Sequence, residues 1–146
     1  MKKYKIGYTT GVFDLFHIGH LNILRRAKQQ CEYLIVGVST DELVMNYKNK
    51  KATIPFEERK QIVEAIKYVD KVVAQKDINK WTAWQENHFD VLFHGDDWKD
   101  SPLYNEIEEK FKTVGVDLVF FPYTKGTSSS ELKQVLNEIL AKKEEK

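Results

Sequence analysis

Tyr33-Leu34-Ile35-Val36-Gly37-Val38-Ser39 decides the fold. The run is nearly continuous in apolar side chains, whereas a strand with one wet face alternates apolar with polar residues. It therefore reads as a strand covered on both faces. Before it, Ile18 to Gln30 has Leu21, Leu24 and Ala27 recurring on one face, which predicts a helix. Earlier still, Lys3 to Thr10 is rich in aromatic and β-branched residues and ends at Gly11, the pattern of a first strand. After the run, Thr40-Asp41-Glu42 offers an N-cap and an acidic first turn.

The remainder repeats the alternation. Met45 to Thr53 is polar, carries Lys48, Lys50 and Lys51, and is expected to be a mobile loop. Pro55-Phe56-Glu57-Glu58 opens a helix with Ile62, Ala65 and Ile66 on its apolar face. Lys71–Ala74 is a short third strand, Asn79–His88 a helix on which Trp81 and Trp84 share a face, and Val91–Phe93 a fourth strand before Gly95. Leu103–Val114 is a helix, Leu118–Phe121 the fifth strand, and Ser128–Lys143 the closing helix, with only Lys143–Lys146 expected to fray. Strand and helix in strict alternation imply βαβ crossovers. The expected fold is α/β: a Rossmann-like, open, parallel five-stranded sheet with helices on both faces, in one domain over residues 1–146. Ligands of such sheets sit beyond the carboxyl ends of the strands, where strand order reverses. The polar motifs follow strands one, two, four and five.

Composition bounds the function. The 146 residues are 42% hydrophobic and 31% charged, which is globular and not disordered. Lys plus Arg number 23 against 22 Asp plus Glu, a net charge of +1, without the basic excess of a nucleic-acid binder. The single cysteine, Cys31, excludes an intrachain disulfide and a Cys-rich zinc site. No stretch approaches the ~20 apolar residues of a membrane helix, and the first residues lack the apolar core of a signal peptide. The expectation is a soluble, cytoplasmic protein without membrane insertion.

Four constellations carry chemistry. In Gly11-Val12-Phe13-Asp14-Leu15-Phe16-His17-Ile18-Gly19-His20, two histidines three apart face the same way at a helix start. The exposed N–H groups there favour anions and disfavour imidazolium. Neutral His17 and His20 would donate to a phosphate, and Gly19 would let it approach the backbone. Two capping histidines or a metal site are the rival readings; no HExxH and no Cys pair supports the metal. Lys48, Lys50 and Lys51 form a basic cluster that by itself reads as a solvated basic run. Gly95-Asp96-Asp97-Trp98 pairs carboxylates that suit Mg²⁺ or ribose hydroxyls, or else form a plain Asp-rich turn. Thr124 to Ser130, with Gly126, opens the last helix as an anion site, a Ser N-cap, or both. Trp81 and Trp84 read as packing rather than as a base-stacking platform.

Together these motifs resemble the HxGH nucleotidyltransferases, specifically the cytidylyltransferase branch, with the glycerol-3-phosphate cytidylyltransferases nearest in size and motif order. His17-Ile18-Gly19-His20 matches HxGH, and Ser39-Thr40-Asp41-Glu42 matches the second-strand ending. Lys67-Tyr68-Val69-Asp70-Lys71 looks like RYVDE with Lys67 for Arg, and Gly95-Asp96-Asp97-Trp98 matches GDDW. Thr124-Lys125-Gly126-Thr127-Ser128-Ser129 resembles RTEGISTT, with Tyr123 in place of its Arg and Lys125 in place of its Glu.

The resemblance implies that CTP and a phosphorylated alcohol, foremost glycerol 3-phosphate, give a CDP-alcohol and pyrophosphate for cell-envelope or surface-polymer synthesis. It implies catalytic roles for His17, His20, Lys48 and Lys50. It implies nucleotide binding by Thr10, Gly11, Val12, Phe13, Gly19, Asp97, Thr124, Gly126, Ser128 and Ser129. Asp14, Lys50, Arg59, Trp98 and Tyr123 would bind the acceptor, although a helix salt bridge explains Arg59 nearly as well. Mg²⁺, held in part by Asp97, and a homodimer are also implied. The alternatives are an ATP-dependent adenylyltransferase of the same fold, such as the pantetheine-phosphate or flavin adenylyltransferases; phosphoethanolamine, phosphocholine, another sugar-alcohol phosphate or a phosphonate as acceptor; and a non-catalytic nucleotide-binding module.

Overall fold

The computed structural model describes residues 3–49, 51–95, 102–122 and 129–144. Five strands, β1 (Tyr4–Gly11), β2 (Cys31–Ser39), β3 (Lys71–Gln75), β4 (Val91–Gly95) and β5 (Asp117–Phe121), form one parallel sheet ordered β3-β2-β1-β4-β5. The chain builds outward from β1 to β3, then crosses back to place β4 against the other side of β1. Strand order therefore reverses between β1 and β4. Among the described residues six helices connect or follow the strands: α1 (Ile18–Gln30), α2 (Asp41–Lys48), α3 (Phe56–Glu64), α4 (Lys80–Asn87), α5 (Pro102–Lys112) and α6 (Ser129–Glu144).

The apolar run of β2 divides by alternation, as a pleated strand requires. Leu34, Val36 and Val38 join one core with Leu24 and Ala27 of α1 and Val63 of α3. Ile35 joins the opposite core with Ala83 of α4 and with Ile107 and Phe111 of α5. Both faces of the sheet are thus covered, and the expected α/β class holds. Gly37 interrupts the run for a steric reason. A Cβ there would lie 2.1 Å from the Tyr8 hydroxyl and 3.0 Å from Gln75 Oε1. The Tyr8 phenol crosses β2 at that gap and donates to the Gln75 side chain on β3. Trp81 and Trp84 stack at 5.1 Å between ring centroids and pack against the second core.

One expectation fails. Met45–Lys48 is the second half of α2, not loop. Thr40 caps that helix by accepting from Leu43 N at 3.2 Å, Asp41 and Glu42 complement its dipole, and Leu43 and Val44 are buried. The apolar pair fastens a helix whose exposed side chains include Asp41, Glu42, Met45 and Asn46. The helix ends at Asn49, in the left-handed region at φ 54°.

Candidate active site

The segment joining β1 to α1 lies at the carboxyl edge beside the strand-order reversal. Its backbone is strained: Phe13 and Leu15 adopt φ 56° and 48°, where bulky side chains cost about 1–3 kcal/mol each. The strain is held by a latch. The Asp14 carboxylate accepts from Thr53 N at 2.8 Å and Ile54 N at 2.9 Å. Arg59, 0% exposed, donates through Nε to Ile54 O at 2.7 Å and through Nη1 to Val12 O and Ser39 O, each at 2.7 Å. Its Nη2 bonds Asp41 Oδ1 at 2.6 Å. One guanidinium thereby ties together the segment after β1, the end of β2, the start of α2 and the approach to α3.

This corrects the acceptor-binding role expected for Arg59, whose guanidinium is buried among protein acceptors and positions the site's walls. Asp14 likewise turns its carboxylate to the backbone at 53–54. Desolvation would raise the Asp41 carboxyl, but hydrogen bonds from Phe56 N and Arg59, with the charges of Arg59 and Lys51, hold it below the usual carboxylate range.

Helix α1 begins with a reciprocal cap made of two histidines. His17 Nδ1 accepts from Gly19 N at 3.0 Å, and His20 Nδ1 accepts from His17 N at 3.1 Å. A nitrogen that accepts carries no proton, so each neutral ring carries its hydrogen on Nε2. The rings stack at 4.0 Å between centroids, with Phe13 and Phe16 packed on His20. Capping and donation are therefore compatible: Nδ1 builds the helix end and Nε2–H is the donor. The arrangement does not suit a metal, which would need an unprotonated Nε2.

Burial lowers the His17 pKa below 6.5. Because the folded value is the lower one, the neutral ring's contribution is complete above pH 6.5 and declines as pH falls from there toward the folded value. The acidic limb of the kcat/KM profile set by His17 is expected below pH 6.5. A pH–rate profile or a histidine NMR titration checks this, and a limb above 6.5 contradicts it.

Thr10 and Gly11 end β1; Val12, Phe13 and Asp14 follow; and Gly19 lies buried in the first turn of α1. The structure thus gathers these predicted residues with His17 and His20 around one edge. Lys48 closes α2 and Ser129 opens α6. Lys50, Asp97, Trp98, Tyr123, Thr124, Gly126 and Ser128 lie outside the described residues. Sequence reasoning missed Lys80 and His94, which approach this edge from α4 and β4. Neither belongs to a local motif: His94 follows Phe93, which pairs with Thr9 across β1 and β4, and Lys80 of α4 is near enough to act on His94 through its charge.

Similarity to known proteins agrees with this geometry. The Cytidylyltransferase-like family matches residues 8–135. The chain is 38% identical over 133 residues to the glycerol-3-phosphate cytidylyltransferase of Bacillus subtilis strain 168, covering 86% of this chain and 92% of that one. It is 36% identical over 135 residues to the enzyme of the same name from Staphylococcus aureus, covering 88% and 92%. Among solved structures, a lipopolysaccharide core biosynthesis protein from Thermoplasma volcanium shares the fold with a TM-score of 0.70 at 23% identity, over 85% of this chain and 99% of that one. A pantoate-beta-alanine ligase from Francisella tularensis shares it at 0.65 and 15% identity, over 91% and 66%. With the paired histidines capping α1 where strand order reverses, and a family match spanning nearly all of the sheet, the chain belongs to the cytidylyltransferase-like family.

Proposed function

We propose that the protein is a CTP-dependent nucleotidyltransferase that joins CTP to glycerol 3-phosphate, releasing CDP-glycerol and pyrophosphate. The observation that carries this reading is the histidine cap, which presents two neutral Nε2–H donors at a helix N-terminus. The relatives' names point to the same substrates. An oxygen of the acceptor phosphate attacks the α-phosphorus of CTP. A new P–O bond forms, the bond to the β-phosphate oxygen breaks, and pyrophosphate leaves with its electron pair. A phosphate monoester is largely dianionic near pH 7, its second pKa being ~6, so the nucleophile needs no general base. The site has to position two phosphates and stabilise developing charge. His17 and His20 supply donors for that charge, while Lys48 and Lys50 supply cations.

Mg²⁺ is part of the proposal as a shield for the β- and γ-phosphates, with Asp97 among its ligands. Among the described residues no three His, Cys, Asp or Glu side chains cluster to hold a metal. No helix among the described residues is long and apolar enough to cross a membrane, and consumption of CTP fits a cytoplasmic location. The test is pyrophosphate release from CTP or ATP against glycerol 3-phosphate, phosphoethanolamine and phosphocholine. Release with CTP and glycerol 3-phosphate is expected, and release confined to ATP or to another acceptor overturns the reading.

A homodimer is also proposed. Leu132, Val135, Leu136, Ile139 and Leu140 form an exposed apolar stripe along α6, at the spacing of one helix face. The matching stripe of a second copy would cover it. Ile139→Glu is expected to shift the mass measured by light scattering from dimer to monomer; an unchanged mass removes α6 from the interface.

A further inference from the structure

One side chain at the end of β3 joins three parts of the sheet's carboxyl edge. Gln75 is the last residue of β3 and is 5% exposed. It pairs with Ser39, the last residue of β2, and its backbone oxygen accepts at 3.1 Å from the N–H of Thr40, the cap of α2. Its side chain reaches the turn that follows, where Nε2 donates to Asp77 O. A backbone carbonyl only accepts, so the amide orientation is fixed and Oε1 faces the other way. There it accepts from the Tyr8 hydroxyl. Burial pushes the Tyr8 phenol above its ordinary range, so the oxygen keeps the proton it donates.

The tie carries structural costs that packing alone does not require. Tyr8 lies on β1, with β2 between it and Gln75. Its ring is fully buried and stacks on Phe89 at 4.8 Å. The phenol crosses β2 where Gly37 leaves out a Cβ, and glycine within a strand weakens it. A buried hydroxyl and a buried amide also lose water that only good partners replace. Apolar residues at these positions would close the sheet without those costs, but they would leave the turn unheld.

The turn has little else to hold it. Lys76, Asp77 and Ile78 are exposed. Asp77, Thr82 and Asn87 line a cavity of about 240 Å³ with Gln75 and Tyr8, so packing does not press the turn onto the sheet. Its other hydrogen bonds are local: Asp77 Oδ1 accepts from Asn79 N, and Asn79 Oδ1 from Trp81 N, each at 3.0 Å. Among the described residues, the Gln75 amide makes the one hydrogen bond from strand to turn. In the sheet order β3-β2-β1-β4-β5, the exits of β2 and β3 lie on one side of β1. The motifs expected to hold the nucleotide follow β1, β4 and β5 in the chain. The exits of β2 and β3 thus border the acceptor.

We propose that Gln75, oriented by Tyr8, is a positioning residue for the acceptor: it sets the turn after β3 against the exit of β2 and so fixes one wall of the acceptor's space. The inference rests on the cytidylyl-transfer reading above. Gln75 acts through the turn and touches no substrate.

The test compares the native protein with Gln75→Met, Gln75→Glu, Tyr8→Phe, and Tyr8→Phe combined with Gln75→Met, varying glycerol 3-phosphate and CTP separately. Gln75→Met keeps the length of the side chain and loses both hydrogen bonds. It is expected to raise KM for glycerol 3-phosphate about 3–10-fold, the scale of one neutral hydrogen bond, with KM for CTP within about twofold. Gln75→Glu still accepts from Tyr8 but has no proton for Asp77 O. It is expected to match Gln75→Met, which a role confined to satisfying the buried phenol does not produce. Tyr8→Phe keeps the ring and its stacking, so the core stays filled. Its expected rise is about 2–4-fold, with none beyond that of Gln75→Met in the combined variant. Amide hydrogen exchange over residues 76–80 quickens in both Gln75 variants while α1 keeps its protection. An unchanged acceptor KM, a rise shared equally with CTP, effects of the two positions that add, or a lower Tm with native kinetics overturns the assignment. If neither Gln75 variant folds, the Tyr8→Phe kinetics decide alone. Failure of the underlying reading looks different: the native protein releases no pyrophosphate from CTP, while exchange over residues 76–80 still separates the variants.

Discussion

His17→Ala and His20→Ala each lower kcat for pyrophosphate release by about 10²–10³-fold, the scale for losing one donor aimed at transition-state charge. The size follows from the double use of each ring. Nδ1 is committed to the helix end, through Gly19 N for His17 and His17 N for His20. The Nε2 proton is thereby fixed rather than shared between tautomers, and the donor is preorganised. Alanine removes the donor and the cap together, and loss of a cap alone costs about 1 kcal/mol of stability. His17→Asn separates the two effects, because Asn is a good N-cap but does not place an N–H where Nε2 stood. We expect His17→Asn to keep near-native Tm while kcat stays as low as in His17→Ala. CTP affinity by calorimetry falls much less than kcat in all three variants. Near-native turnover in His17→Asn or His20→Ala would remove that ring from the chemistry.

Local signals in the chain reach as far as the helix that carries these rings. The bounds expected for α1, Ile18–Gln30, are those observed, because the apolar period and the histidine-bearing start are both local. The parallel class was legible from the run at Tyr33–Ser39, since burial on both faces leaves its mark on each residue from Leu34 to Ser39. The second half of α2 was not legible: three lysines and two asparagines between Asn46 and Lys51 outweigh the local signal of Thr40, Leu43 and Val44. The strain at Phe13 and Leu15 left no trace either, since neither is a residue type that marks a left-handed turn. Arg59 shows the limit most clearly. An Arg in a run of charged helix residues looks solvated, and its partners Val12, Ser39 and Asp41 are 18–47 positions away.

Arg59→Met is expected to be the most destabilising single change near the site. The side chain is fully buried and its guanidinium serves three backbone carbonyls and one carboxylate. Met fills much of the volume with an aliphatic stem, so little of the loss comes from a cavity. What is lost is the satisfaction of Val12 O, Ser39 O and Ile54 O, each buried acceptor costing about 1–3 kcal/mol when left unpaired. Asp41 keeps its bond from Phe56 N, and its side chain is 50% exposed, so water recovers part of that partner. Relaxation of the loops lowers the sum further, and we expect a total of about 3–5 kcal/mol, the range for breaking a buried charged pair. Arg59→Lys recovers only a fraction, because one ammonium cannot reach four acceptors in the planar fork that guanidinium provides. The measurement is urea unfolding of both variants together with kcat of the folded fraction. The latch also opposes the left-handed strain of Phe13 and Leu15, so turnover per folded molecule falls as well, and the Phe13–His20 contact at 5.3 Å loosens with it. A stability change within about 1 kcal/mol in Arg59→Met, with native turnover, would show that the walls of the site hold without the latch.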